Sequence, residues 1–468
     1  MFEQFYNDFS LDGEEVSLEQ LLEARENRVQ LQQQCLAQYG QTVLSLTLLA
    51  VGGVKKNALL DYVFASALEN LTACFSALGV KPTAEFIRPL NTGHEALFVL
   101  PIEADKLKRA MIALEESSPL ARLWDIDVIQ ADGRLLSRTE FNYPPRPCLV
   151  CQDEAKVCAR ARKHSFEAIW SEMKTRVQAD DFSQRIATMV YQALVDEARL
   201  SPKPGLVDSI NNGSHQDMNL KTFEQSALAL RPFFAQFVLK GIETVNLPHS
   251  QILAQIRPLG VIAEKAMRQA TNDVNTHKGA IFAFGLICTA IGRLYALDVI
   301  ENQLKQNHSL VNAICEQVAQ FTQGLTEELK HYPDHQPLTA GVRLFREYGL
   351  TGARGEAESG FLLVRQALDF VEAYKNVELQ HQWLIILLYL MANNPDTNVV
   401  NRGKMEGLTF IQKEASKRLE NSTILQNKDS LIASLAEFDQ ACIARNLSSG
   451  GSADLLALTI FLKCYLKS

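Results

Sequence analysis

The chain has 468 residues, of which 47% are hydrophobic and 21% are charged, and its formal net charge is −8. These values are typical of a globular protein with real hydrophobic cores, and the length predicts two or three domains. The excess of acids argues against a protein that holds nucleic acid over a broad basic surface.

The first eight residues lack the basic and apolar regions of a secretory signal. The longest run without a charged or strongly polar residue, about 279–292, is shorter than the roughly 18 residues that span a bilayer. Nine cysteines without an export signal indicate reduced thiols or metal ligands. We therefore expect a cytoplasmic protein that contacts neither a membrane nor nucleic acid.

Helices and short strands alternate in the N-terminal part of the sequence. Apolar residues at helical spacing predict helices at about 18–38, 57–78 and 104–117. Alternating or short apolar runs predict strands at 42–48, 85–89, 96–100, 123–129 and 135–139. This alternation predicts an α+β domain, which we place at residues 1–175.

The pattern changes after the proline-rich segment 142–147. From about residue 153 onward no strand is predicted, and the apolar positions follow helical spacing. Clear examples are 182–200, 219–239, 252–271, 281–295 and 383–392. We therefore predict a larger, all-helical domain at residues 180–468.

Two aspartates occupy the predicted strand at 123–129. Strand alternation places Asp125 and Asp127 on one face, where two carboxylates can hold Mg²⁺, as the Asp-x-Asp of nucleotidyltransferases does. Alone, such a pair is more often an exposed strand face. The functional interpretation gains support from Gly52-Gly53 at the end of an earlier strand, with Lys55 and Lys56 beside it. A glycine turn flanked by lysines suits a phosphate tail.

Soft metal ligands cluster after the proline-rich segment. Cys148, Cys151, Cys158 and His164 could hold Zn²⁺, although the spacing between the second and third ligands is short, and Cys158 and His164 are expected on one helix. The alternative is a set of buried free thiols. Lys156, Arg160 and Lys163 recur at helical spacing with no acid among residues 155–164. That pattern favours an anion-facing surface, for substrate phosphates or an acidic carrier protein.

Five loops of the helical part combine Gly or Pro with acids, amides, hydroxyls and basic side chains, namely 201–218, 275–279, 349–360, 395–403 and 447–454. Most precede an apolar helical run, and helix N-termini bind anions through free amides and the dipole. Each loop alone is typical of a helix cap and turn. Five in one domain indicate a polar catalytic pocket.

These motifs together resemble two enzyme families. Residues 1 to about 175 resemble apo-citrate lyase phosphoribosyl-dephospho-CoA transferases, through Trp124–Val128, 129–138, Arg146–Cys151 and Cys158–His164. Residues 180–468 resemble triphosphoribosyl-dephospho-CoA synthases, through Pro202–Asp208, Asn275–Gly279, Gly352–Gly360, Pro395–Gly403 and Gly450–Asp454. One departure is Lys404, where the synthase family often has a second glycine after Arg402-Gly403.

The resemblance implies a fused, bifunctional enzyme that makes the prosthetic group of citrate lyase. The synthase half would join ATP to 3′-dephospho-CoA and release adenine, giving 2′-(5″-triphosphoribosyl)-3′-dephospho-CoA. The transferase half, with a nucleotidyltransferase-like fold and Mg²⁺, would link this product to a serine of the apo citrate lyase acyl carrier protein (gamma subunit) and release diphosphate.

The resemblance also implies roles for site residues. In the synthase half, Asp208, Glu356 and Glu358 would stabilise the positive ribose, deprotonate the attacking hydroxyl or hold Mg²⁺. His277, Lys278, Arg354 and Arg402 would hold phosphates or protonate the leaving base. Asp396, Asn398, Gly450, Gly451 and Ser452 would also bind nucleotide, and Lys203 is a lesser candidate for the same role. In the transferase half, the metal would bind Asp125 and Asp127, and phosphates would meet Gly52, Gly53, Lys55, Lys56, Arg160 and Lys163.

Two other interpretations remain open. The equivalent enzyme pair for malonate decarboxylase makes the same prosthetic group, but the Cys148–His164 segment favours the citrate lyase branch. The chain could instead be a non-catalytic, zinc-stabilised adaptor that binds nucleotides or nucleic acid. The net charge of −8 and the mixed acidic and basic loops argue against an adaptor.

Overall fold

The computed structural model describes residues 9–301, 310–333 and 338–466, the side chains of 299–301 excepted. The N-terminal stretch 1–8, in which we recognised no targeting signal, lies outside these residues. The chain divides into two compact units, an N-terminal unit of Tyr6–Asp181 and a C-terminal unit that contains Phe182–Ser468. The two units are described separately below.

The N-terminal unit contains four strands and the helices around them. In chain order these are α1 (Leu18–Tyr39), β1 (Thr42–Leu48), α2 (Ala58–Ala77), β2 (Ala84–Leu90), β3 (Gly93–Leu100), α3 (Ala104–Glu115), β4 (Trp124–Ile129), α4 (Ala155–Ala161) and the start of α5 (Phe166–Arg199). The predicted strands at 42–48, 85–89, 96–100 and 123–129 are confirmed to within a few residues. The α+β class of this part of the chain is confirmed with them.

The four strands form one antiparallel sheet in the order β2-β3-β1-β4. This order, with α2 and α3 as the connecting helices, is a pair of split β-α-β units. Alternation sorts the two faces, so that Leu44 and Leu46 of β1 enter the core shared with α2 and α3. Val43 of β1 faces the other way and packs with Cys35 of α1.

The strand predicted at 135–139 does not form. Leu135 makes an isolated bridge to Ile129, and a short 3₁₀ helix then runs from Arg138 to Phe141. Ser137 and Glu140 form a reciprocal capping box, in which the side chain of each residue accepts a hydrogen bond from the backbone N–H of the other. This helix-start signal outweighs the apolar run before it.

The C-terminal unit is helical throughout its described residues, as predicted. It contains the end of α5 followed by α6 (Leu220–Glu243), α7 (His249–Ala270), α8 (Lys278–Glu301), α9 (Leu310–Thr322), α10 (Glu327–Lys330), α11 (Ala340–Tyr348), α12 (Gly352–Glu358), α13 (Leu362–Val371), α14 (Leu379–Asn393), α15 (Thr397–Leu419), α16 (Ser422–Gln426), α17 (Lys428–Ala444) and α18 (Gly450–Tyr465).

Helix α8 runs through the core of this unit. It crosses α6 closely at two glycines, because a Cβ on Gly292 would lie 2.0 Å from Val238 O and one on Gly241 would lie 2.2 Å from Thr289 O. The stretch Lys278–Asp298 is the one described helix that is long and apolar enough to cross a membrane. However, 89% of its apolar window is buried within the protein, as in the core helix of a globular fold.

Candidate functional sites

The aspartate pair of the N-terminal unit lies on the edge strand β4. Asp125 pairs with Thr47 and Asp127 with Ser45 in the register of β1 and β4, so both carboxylates share one face of the sheet, as predicted. The Asp125 side chain is 64% exposed, whereas Asp127 is half-buried. The pair is therefore open to solvent at one end and shielded at the other.

Basic groups surround the same carboxylates. The Arg146 guanidinium lies 3.8 Å from Asp125 Oδ1 and also pairs with Glu115. Lys108 donates from Nζ to the carbonyl of Ile126 at 3.3 Å. Burial and the charge of Asp125 raise the pKa of Asp127 above its ordinary value. Two adjacent carboxylates repel each other, and a divalent cation between them would offset this repulsion. Oxygen is the ligand that Mg²⁺ prefers.

The predicted glycine turn lies at the same end of the sheet as Asp125. It follows β1, whose last residues pair with the first residues of β4, and Gly52 has a φ of 77° that favours glycine. The two lysines are engaged within the unit: Lys55 Nζ donates to Ala50 O at 2.6 Å and Lys56 Nζ to Pro89 O at 3.1 Å. A phosphate would have to replace these two hydrogen bonds.

The four soft ligands converge as predicted. The Sγ atoms of Cys148, Cys151 and Cys158 and a ring nitrogen of His164 all lie within 4.8 Å of one another. Cys151 Sγ is 3.5 Å from Cys158 Sγ and 3.3 Å from His164 Nε2. Two sulfurs bound tetrahedrally to zinc at about 2.3 Å lie about 3.8 Å apart, so the donor set and spacing fit Zn²⁺.

The backbone around the cluster favours the thiolate form of Cys148. Burial opposes ionisation, but hydrogen bonds from the backbone N–H groups of Cys151 and Val150 lower the pKa of the Cys148 thiol. The expectation that Cys158 and His164 share one helix is wrong. Helix α4 ends at Ala161, and Arg162 turns the chain with a φ of 46°, so His164 lies beyond the helix.

The predicted anion-facing residues flank this cluster. Lys163 also lies beyond α4 and pairs with Asp153 at 2.5 Å, which leaves it half-exposed. Lys156 and Arg160 are exposed on α4, and neither has an ion-pair partner within the described ranges. The surface therefore retains a local positive charge beside the metal-ligand cluster.

In the C-terminal unit, the loop 202–208 surrounds a buried ion pair. Lys203 Nζ lies 2.5 Å from Glu197 Oε1, and the two side chains are 2% and 4% exposed. Asp208 stabilises the loop by accepting backbone N–H groups of Lys203, Ile210 and Asn211 at 2.7–3.0 Å. Lys203 and Asp208 are thus brought together, and both are held within the protein.

The starts of α15 and α18 are joined by one carboxylate. Asp396 Oδ2 accepts from Ser452 N at 2.8 Å and from Ser452 Oγ at 3.0 Å, while its Oδ1 accepts from Asn398 N at 2.9 Å. Gly450 and Gly451 allow the close approach, because a Cβ on either would lie 3.0–3.1 Å from the Asn398 or Asp396 side chain. These five predicted residues therefore contact one another.

His277 is buried immediately before α8. Its Nδ1 lies 2.7 Å from Ser226 Oγ, which accepts a hydrogen bond from Thr276 Oγ1. The Ser226 hydroxyl is then the donor to Nδ1, which leaves the ring proton on Nε2. Burial and the charge of Lys203 lower the pKa of His277 to about 3, so the ring is neutral near pH 7. The adjacent Lys278 points outward and pairs with Glu264 at 3.0 Å.

The loop 349–360 adjoins the start of α15, because a Cβ on Gly352 would lie 3.0 Å from Thr397 Cγ2. Glu358 accepts the N–H groups of Gly324 and Thr326 at 2.6 and 3.1 Å, which stabilises the turn before α10. Glu356 accepts from Leu363 N at 3.3 Å, and burial raises its pKa. Arg354 lies 3.6 Å from Glu328.

Arg402 connects α15 to the loop 201–218. Its Nη1 donates to Ser214 O at 2.8 Å and to Asn446 Oδ1 at 3.1 Å, and its Nη2 lies 3.1 Å from His215 Nδ1. Burial and the charge of Arg402 lower the pKa of His215 to about 4. The guanidinium therefore orders the loop beside the starts of α15 and α18.

Three acids near these loops were absent from the predicted site. Glu197 pairs with Lys203, and Asp439 accepts from Gly205 N at 2.8 Å and Asn211 Nδ2 at 3.0 Å. Asp454 lies in the second turn of α18 and accepts from Ala280 N. Only Asp454 carried a sequence signal, since it ends the Gly450–Asp454 motif. Nothing in the sequence relates Asp439 to a glycine 234 residues away.

The comparisons with known proteins agree with the division of the chain into an N-terminal and a C-terminal unit. Residues 16–180 match the family model CitX, described as apo-citrate lyase phosphoribosyl-dephospho-CoA transferase. Residues 183–467 match CitG, described as ATP:dephospho-CoA triphosphoribosyl transferase. "Protein CitXG" of Haemophilus influenzae is 60% identical over 460 residues, which cover 98% of each chain. The chain belongs to the CitX–CitG fusion family. It is therefore an enzyme with a transferase of each family in one polypeptide.

Single-function relatives match the CitG part. The 2-(5''-triphosphoribosyl)-3'-dephosphocoenzyme-A synthase of Haemophilus ducreyi is 61% identical over 318 residues, which cover 67% of this chain and 98% of the relative. The synthase of the same name from Escherichia fergusonii is 45% identical over 286 residues, which cover 60% and 91%. The CitG part therefore corresponds to proteins that exist as separate chains.

Proposed function

We propose that the C-terminal unit joins ATP to 3′-dephospho-CoA with release of adenine, and that the N-terminal unit transfers the product to a serine of the apo citrate lyase acyl carrier protein with release of diphosphate. The observation that carries this proposal is the full-length match to the CitX–CitG fusion, whose two parts coincide with the two compact units. The polar loops of the C-terminal unit and the carboxylate pair of the N-terminal unit supply suitable chemistry.

The first step is tested by adenine release. The purified chain is incubated with ATP and 3′-dephospho-CoA, and adenine and the triphosphoribosyl product are measured by chromatography. We expect adenine and product in equal amounts, and none when dephospho-CoA is omitted. A chain that binds both nucleotides without releasing adenine would support the adaptor interpretation instead.

For the second step, we propose a nucleotidyltransferase-type site at Asp125 and Asp127 that holds Mg²⁺. When bound, the metal would neutralise the triphosphate and the departing diphosphate. Arg146 then contributes positive charge next to Asp125, and the Gly52-Gly53 turn offers backbone N–H groups to the phosphate tail. Asp127→Ala should abolish labelling of the carrier while adenine release continues. Loss of both activities would contradict the assignment of one step to each unit.

We further propose that Cys148, Cys151, Cys158 and His164 hold a structural Zn²⁺. The closed set of four protein ligands, with one buried cysteine among them, is the kind that stabilises a fold rather than one that leaves a position open for water. The exposed cations of α4 lie beside it and suit an acidic carrier.

Two finer assignments belong to the same proposal. The carrier partner is that of citrate lyase, and parallel incubation with apo-carriers of citrate lyase and malonate decarboxylase tests it, since the proposal expects labelling of the first. We also propose a cytoplasmic location. The described residues contain no disulfide, as expected in a reducing compartment where ATP is available.

A further inference from the structure

The starts of α8, α15 and α18 lie around a group of acids that the predicted site did not include. Asp454 lies across the first turn of α8, where it accepts the N–H of Ala280. Gly279 is packed so closely that a Cβ there would lie 1.9 Å from Asp454 Oδ2. The absence of a side chain at this position is therefore what admits the carboxylate.

Most acids around these loops are already saturated by protein donors. Asp208 accepts three backbone N–H groups, and Asp396 accepts the backbone and hydroxyl of Ser452 as well as Asn398 N. Such carboxylates cannot turn towards a substrate without breaking the hydrogen bonds that hold the loop. They act as positioning residues.

Asp454 differs from them. Among the described residues its one protein donor is Ala280 N–H, and the residue keeps partial access to solvent. The groups that face it are acidic: Glu197 from α5 and Asp396 from the start of α15, with the Lys203 ammonium committed to Glu197. Burial and these neighbours raise the pKa of Asp454 well above its ordinary value.

We propose that Asp454 is the catalytic base of the synthase step. Its carboxylate takes the proton of the dephospho-CoA 2′-hydroxyl as that oxygen bonds to the ribose C1 of ATP. The C1–N9 bond breaks, its electron pair leaves with adenine, and adenine gains a proton from solvent. The proton on Asp454 returns to solvent through its exposed side. The negative charge of Asp396, and that of Asp454 until the proton has transferred, stabilises the positive ribose in the transition state, while Glu197 is neutralised by Lys203.

This inference rests on the proposed function, and Asp454→Asn tests it. We expect the kcat for adenine release to fall by about 10²–10⁴-fold, with the KM for ATP changed less than about threefold. The acidic limb of the pH–rate profile should disappear. The melting temperature should stay equal or rise, because the variant removes a carboxylate that lies beside the carboxylate of Asp396. A purely structural cap at α8 would instead lower the melting temperature and leave the pH profile unchanged.

Gly279→Ala is a second test that leaves the carboxylate in the chain but displaces it. We expect a similar loss of kcat. The matched control is Gly260→Ala on α7, where a Cβ meets open space, and Asp369→Asn on α13 controls for the loss of one exposed charge. Both controls should keep the wild-type rate.

Glu356 is the rival base, because burial raises its pKa and it accepts one backbone N–H, from Leu363. The inference is overturned if Asp454→Asn keeps a kcat within about threefold of the wild type, or if Glu356→Gln removes the acidic limb while Asp454→Asn does not. If the wild-type chain itself releases no adenine, the proposed function fails, and that result is distinct from failure of the base assignment.

Discussion

At Lys404, helix α15 leaves helical geometry for one residue, with φ 52° and ψ −161°. This region is close to one that only glycine populates readily, and holding another residue there costs about 1–3 kcal/mol. The departure noted at Lys404 in the sequence therefore has a structural cost.

Lys404→Gly should therefore raise the free energy of unfolding by about 1 kcal/mol. Denaturant unfolding of the full chain measures it. The control is Lys413→Gly, exposed in the regular part of α15, which should lower the free energy by about 1 kcal/mol. Equal losses in the two variants would mean that the backbone at Lys404 carries no strain.

His277 makes stability depend on pH. The pKa of His277 in the folded chain, about 3, lies below the ordinary value of 6.5, so below pH 6.5 the unfolded chain binds a proton that the folded chain does not bind. The contribution of His277 to stability is fully present above pH 6.5 and is lost as the pH falls towards 3. Between pH 7.5 and 5.5 this residue should account for a loss of about 1.4 kcal/mol.

His277→Asn should reduce that loss, although the variant is less stable at pH 7.5. The measurement is the difference in unfolding free energy between the two pH values for each chain. An unchanged difference would show that the imidazole is protonated in the folded state. His215, whose pKa is lowered to about 4, adds to the same acid sensitivity.

Individual site residues were predictable when a local pattern carried them. The two-residue period of a strand places Asp125 and Asp127 on one face, and Cys and His spacing brings four ligands together. Contacts such as Asp439 with Gly205 could not be predicted, because no periodicity links residues on different helices. The inward or outward direction of His277 and Lys278 also depended on tertiary packing.

At the scale of elements, the segment 148–164 is too short and polar to fold on its own hydrophobic core. Pro147, immediately before it, bridges Glu154, and helix α4 has seven residues, of which only Cys158 is buried. A Zn²⁺ bound to the ligand cluster would therefore contribute much of its order. We expect one zinc per chain after purification without added metal, measured by atomic emission.

Cys151→Ser and His164→Ala should lose the metal and lower the melting temperature of the N-terminal unit, while Cys74→Ser, on α2, should retain it. Zinc content equal in Cys151→Ser and wild type would contradict the site. If wild-type protein without metal kept its full stability, the cluster would be a set of free thiols.

Element boundaries show where periodicity succeeds and where it fails. The helix predicted at 18–38 matches α1, because Ser17 and Gln20 cap its start and Gly40 ends it in a left-handed conformation. The segment 135–139 was wrong because its apolar residues suggested a strand while Ser137 and Glu140 began a turn. In such short segments, capping residues determine the local structure more than the apolar residues do.

At the scale of the whole molecule, each unit has its own hydrophobic core, and each holds one candidate catalytic site. We therefore expect the intermediate to be a free compound. The Asp127→Ala chain, given ATP and dephospho-CoA, should accumulate it in solution. Its protein-free filtrate, added to wild-type chain and apo-carrier without ATP, should support labelling. Labelling only when ATP is present would show that the intermediate passes directly between sites.

The hydrogen bond between Asp396 and Ser452 also bears on the order in which the two sites form during synthesis of the chain. The C-terminal site contains Glu197, at the end of α5, and Asp454, in α18, which is the last helix described. The site is therefore complete only after this late segment has been synthesised. The sheet of the N-terminal unit is complete long before that point. On the ribosome, one catalytic half can thus mature while the other still awaits its final helix, and premature termination would leave a chain with only the second activity.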